Sequence, residues 1–78
     1  MKIVANDYEP KDLFKFIREY TGLTQTELAK ELNRKSYHGI KKIENGTNRF
    51  YFDTFMEIIK NHDLIVTIEN KGNKTTKK

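Results

Sequence analysis

The stretch TGLTQTE, residues 21–27, ends one helix and starts the next within a few residues, and this sets the architecture of the chain. Gly22 reads as a helix-ending cap, because a residue without Cβ enters the left-handed conformation at no steric cost. Thr24 and Glu27 have the spacing of a capping box, in which each side chain accepts from the other residue's free backbone N–H. Upstream, Pro10 suits the first position of a helix. Leu13, Phe14, Ile17 and Tyr20 follow at three- and four-residue spacing, which predicts a first helix over 10–21 with one apolar stripe. A short second helix follows Thr24 and turns Leu28, Ala29 and Leu32 inward.

Beyond it, NRKS is a polar turn, and Ser36 can cap a third helix over 35–45. Ile40 and Ile43 are the only apolar residues of that helix, so one narrow edge is buried and the rest faces outward. Asn45-Gly46 closes it. Gly39 lies inside it at a cost of about 1 kcal/mol relative to Ala, which predicts a close approach to its backbone. After the loop TNRFY, a fourth helix has Phe52, Phe55, Ile58 and Ile59 as its inner face, with Asp53 favourably placed in its first turn. LIVTIE, residues 64–69, is β-branched and reads as a strand. A lone strand leaves its backbone unpaired. It must join residues 2–4 (KIV) or the same strand of a second chain. The expected organisation is an N-terminal segment 1–9, a helical domain 10–62, a strand segment 63–70, and a basic tail 71–78 without apolar residues, expected to be disordered.

With 78 residues the chain makes one small domain, burying only about 60% of its unfolded surface. No cysteine is present, which rules out disulfides and Cys-based metal sites. The longest apolar runs, LIV and FYF, are far short of a membrane span, and the first residues lack a signal-peptide core. The expectation is a soluble, cytoplasmic protein without a membrane partner. Charge is unevenly placed. Residues 30–49 carry Lys30, Arg34, Lys35, Lys41, Lys42 and Arg49 against Glu31 and Glu44, and the tail adds four lysines, while the rest is net acidic. A concentrated positive field attracts a polyanion. His38 and His62 have no metal-ligand spacing, SYHG lacks the framing of a nucleophilic serine, and no glycine-rich phosphate loop exists. No catalytic residue, metal or cofactor is expected, and the chain is not read as an enzyme.

A helix with one narrow buried edge and a polar, basic remainder can enter a DNA major groove. TGLTQTELAKEL followed by SYHGIKKIENG resembles the lambda-repressor/Cro-like (XRE-type) helix-turn-helix family, over about residues 13–60. The resemblance implies a mainly α fold: a four-helix lambda-repressor-like domain followed by a C-terminal β-strand. It implies base readout by Tyr37, His38 and Lys42. Phosphate contacts would come from Gln25, Ser36, Lys41, Asn45, Thr47, Asn48 and Arg49. In that family an arginine four residues before the Gly-Leu pairs with the glutamate of the Ile-Glu-x-Gly motif, here Arg18 with Glu44. HipB-type antitoxins similarly follow the fourth helix with a strand joining two subunits. That implies a homodimer through Leu64, Ile65, Val66, Thr67 and Ile68, bound to a pseudo-palindromic operator in double-stranded DNA. The expected function is a transcriptional regulator acting as a repressor. The alternatives are an antitoxin subunit that also binds a protein toxin, and an interaction module that keeps the fold without binding DNA.

Overall fold

A computed structural model of the chain describes residues 3–70. They form a short 3-10 turn, Ala5–Asp7, and four helices: α1 (Pro10–Thr21), α2 (Gln25–Glu31), α3 (His38–Glu44) and α4 (Phe52–Asn61). The fold is mainly helical. Each helix contributes one side chain that is almost fully enclosed: Phe14 from α1, Leu28 from α2, Ile40 from α3 and Ile58 from α4. Ile17, Ala29, Leu32 and Ile43 complete the cluster, with Leu13, Phe16, Leu23, Phe50, Phe55 and Leu64 packed around it. Phe14 meets Phe50 at 5.1 Å between ring centroids, which pins the loop before α4 onto α1. The third helix packs on both α1 and α2.

Start and stop signals decide these helices. Pro10 is at the first turn of α1. At α2, the Thr24 hydroxyl accepts from the Glu27 N–H at 3.1 Å, and the Glu27 carboxylate accepts from the Thr24 N–H at 2.8 Å. All four helices end on a left-handed residue: Gly22, Asn33, Gly46 and Asp63, with φ between 58° and 86°. Behind each, two N–H groups fold back onto the last carbonyls. Asn33 donates to Lys30 and Arg34 to Ala29 after α2; Asp63 donates to Lys60 and Leu64 to Ile59 after α4. This is the Schellman arrangement, which satisfies carbonyls that the helix leaves open and packs an apolar residue after the turn against the last turn. Leu64 is that residue for α4.

Four details differ from the sequence expectation. The third helix starts at His38, not near residue 35, because Lys35 and Ser36 form a bend and Tyr37 is the cap. Tyr20 lies on the exposed side of α1, stacked on the partly buried Phe16. Phe52 is 70% exposed, so the inner face of α4 is Phe55, Ile58 and Ile59. At the first turn its ring rests on the outer side of Phe55, 5.9 Å away. Finally, no β-strand occurs among the described residues. Residues 64–70 leave α4 beyond its Schellman turn, with Ile65 and Ile68 about nine-tenths exposed. The expected tail, 71–78, and the start of the KIV segment lie outside the described residues.

Candidate nucleic-acid interface

Three helices are tied together at one point. Glu44, at the end of α3, has only 5% of its side chain exposed. Its Oε2 accepts from Arg18 Nε at 2.6 Å and its Oε1 from Arg18 Nη2 at 3.0 Å. This is a two-bond fork that guanidinium geometry favours. Gln25, in the first turn of α2, donates its amide N–H to Glu44 Oε1 at 3.1 Å. Arg18 donates a further bond to the Leu23 carbonyl, between α1 and α2. The hydrogen bond that Arg18 donates to Glu44 raises the Arg18 pKa above its ordinary value, against the opposing effect of partial burial. Thus side-chain bonds around Glu44 and Arg18 tie α1, α2 and α3 to one another.

On that frame α3 turns Ile40 and Ile43 inward, while His38, Lys41 and Lys42 are exposed. His38 and Lys42 are one turn apart and share a face. Tyr37 lies against the His38 ring with centroids 4.8 Å apart. The Ser36 hydroxyl is 3.1 Å from His38 Nδ1, so it orients this imidazole. Gln25 is half-buried and one of its amide hydrogens is committed to Glu44; the other is left for an outside acceptor. After α3, the Asn45 side chain accepts from the Thr47 N–H at 2.9 Å. The N–H groups of Thr47 and Asn48 both reach the Lys42 carbonyl. The loop is therefore held by its own backbone bonds, and what it offers outward is the side chains of Thr47, Asn48 and Arg49, all exposed.

Arg34, in the sequence only one member of the basic run, follows the left-handed Asn33, and its backbone is fixed by its bond to Ala29. Its Nη1 lies 3.3 Å from the place a Cβ on Gly39 would occupy. Arg34, Gly39, Thr47, Asn48, Arg49 and Thr54 line one open cleft of about 390 Å³ beside α3, with no acidic residue among its walls. The Glu31 carboxylate is within 2.9 Å of His62 Nε2 and 3.3 Å of Asn61 Nδ2, linking α2 to the end of α4. The basic run of residues 30–49 contained Arg34, but only its place beside Gly39 gives it a role. Leu64 to Ile68 lie apart from this surface in sequence and make no ladder with another described segment.

Among the described residues, no group of three or more His, Cys, Asp or Glu could hold a metal ion. No helix there is long and apolar enough to cross a membrane. Comparison with protein-family models, curated proteins and solved structures gave no match.

Proposed function

We propose that this protein is a sequence-specific double-stranded DNA-binding regulator of the lambda-repressor-like helix-turn-helix class, with α3 as its recognition helix. The observation that carries the reading is the division of α3. Ile40 and Ile43 are buried, whereas His38, Lys41 and Lys42 are exposed on a helix held by the Arg18–Glu44–Gln25 network. The helix is short and polar outward, and is flanked by Arg34 and Arg49. A major groove accepts such a helix, and exposed side chains with mixed donors and acceptors distinguish base pairs there. His38 and Lys42 are the base readers, with Tyr37 at the edge. Gln25, Ser36, Lys41, Asn45, Thr47, Asn48 and Arg49 supply phosphate contacts that fix docking.

One such unit reads only a few base pairs, so a dimer on two half-sites supplies the remaining affinity. Residues 64–68 of two copies pair as antiparallel strands about a two-fold axis, an isologous contact that closes on itself. Occupancy of an operator then represses transcription. The test is selection of bound duplexes from a random pool at moderate salt. Enrichment of a pseudo-palindrome with half-sites about one helical turn apart is expected; failure to enrich any motif overturns the reading. A second reading, an antitoxin subunit, draws on the exposed apolar side chains of Tyr51, Phe52, Ile65 and Ile68. A defined protein partner that binds at fixed stoichiometry and is lost on charge substitution at these positions selects it.

A further inference from the structure

We propose that the cleft between α3 and the loop after it is a seat for one DNA backbone phosphate, held between Arg34 and Arg49, and that Gly39 keeps Arg34 in place. This inference rests on the DNA-binding reading and deepens it. Gly39 is the second residue of α3, and a helix former there would be favoured over glycine. It is not in the left-handed region, so backbone conformation supplies no reason for a glycine. What lies nearest to its missing side chain is Arg34 Nη1, at 3.3 Å. The guanidinium thus lies close to bare helix backbone, and a Cβ at position 39 would make it give way by a few tenths of an ångström.

The chemistry of the cleft suits a phosphate. Its walls hold Arg34 and Arg49 with the polar Thr47, Asn48 and Thr54, beside the apolar Ile43, Phe50 and Tyr51, and no carboxylate. Neither Arg34 nor Arg49 is in an ion pair among the described residues. No carboxylate of the cleft neutralises either arginine, and an anion seated there would do so. A guanidinium offers two parallel donors to a phosphate, which makes arginine suited to this role. The cleft lies alongside α3, so a helix in the groove brings the flanking backbone to it.

The experiment uses the full chain and a 24-base-pair duplex of random sequence, titrated at several salt concentrations. Arg34→Ala is expected to weaken binding about tenfold at low salt, the size of a charge-assisted bond, and Arg34→Lys to weaken it less. Gly39→Ala is expected to weaken binding about threefold when Arg34 is present and not at all in the Arg34→Ala background. Removing both arginines should lower the log–log salt slope by about 0.9, the value for one phosphate. Thermal unfolding of each variant separates these effects from misfolding, since Gly39→Ala should unfold at a higher temperature than the parent. An unchanged affinity for Arg34→Ala overturns the proposal. So does an equal loss from Gly39→Ala in both backgrounds, which would mean that DNA itself approaches the helix there. A slope loss near 1.8 would mean two separate phosphates and overturns the single seat. If the parent chain fails to bind any duplex at low salt, the DNA-binding reading falls as well.

Discussion

Glu44 accepts hydrogen bonds from side chains of two other helices, Arg18 of α1 and Gln25 of α2. Removing the carboxylate strands the Arg18 guanidinium, whose side chain is only 11% exposed. Breaking one side of such a pair is more damaging than the intact pair is stabilising, because the remaining charge stays desolvated. Glu44→Ala should therefore destabilise the domain by about 2–4 kcal/mol, lowering the unfolding midpoint by more than about 10 °C. The double variant Arg18→Met/Glu44→Leu should recover about half of that loss, since neither charge is then buried alone. Calorimetric unfolding of both proteins checks this. A midpoint for Glu44→Ala equal to that of the parent excludes any structural weight for the pair. Gly39 makes the opposite case. Its φ is ordinary, and the atom nearest to a new Cβ is the tip of a flexible side chain. Because Gly39 is only the second residue of α3, Gly39→Ala should stabilise the domain by no more than about 0.5 kcal/mol, seen as a midpoint higher by about 2–4 °C.

At the scale of the elements, the caps decide more than the helix propensities do. The second helix has only seven residues, too few to form alone, so its reciprocal Thr24–Glu27 bonds matter. Thr24→Ala should cost about 1 kcal/mol, measurable as a midpoint about 4–8 °C lower, and Thr24→Gly should cost less. Asp63 ends α4 in the left-handed region, with its negative charge at the helix terminus that disfavours it. Asp63→Gly should raise stability by about 0.5–1 kcal/mol, and an unchanged or lower midpoint in chemical denaturation would exclude this account. The same caps explain what could be read from the sequence. Proline at the start and glycine at the end gave the bounds of α1 directly, and TQTE gave the start of α2. Asn33 was less legible, because asparagine visits the left-handed region only as one option among several. Ser36 looked like a cap, yet its hydroxyl is 3.4 Å from the His38 N–H and the helix starts after Tyr37. The inward turn of Ile40 and Ile43 follows from their spacing. The meeting of Arg34 with Gly39 does not, because it depends on how the α2–α3 turn folds back in three dimensions.

For the whole molecule, the proposed engagement of a long duplex rests on two further parts of the sequence, residues 64–68 and 71–78. The four lysines of residues 71–78 carry half of the positive charge that stands apart from the acidic parts of the chain. Deleting them should reduce the slope of log affinity against log salt while leaving the preferred sequence unchanged; a changed preference in a selection experiment would exclude this purely electrostatic part. The segment 64–68 sets the oligomeric state in the proposed dimer. Leu64 is already packed on the core, whereas Ile65, Val66 and Ile68 are exposed. If the segment extends as a strand, residues 64, 66 and 68 share one face and 65 and 67 the other. Leu64 then marks the face turned to the helical bodies, so Val66 and Ile68 are covered by the two domains and Ile65 stays on the outer face. Each covered side chain contributes about 1.5–3 kcal/mol, and both copies bury theirs together. Ile68→Lys should therefore convert the dimer to a monomer in sedimentation equilibrium with unchanged helical content, and Ile65→Lys should shift the equilibrium much less. Equal disruption by the two substitutions would exclude this register, and a parent chain that sediments as a monomer would exclude the strand-paired dimer itself.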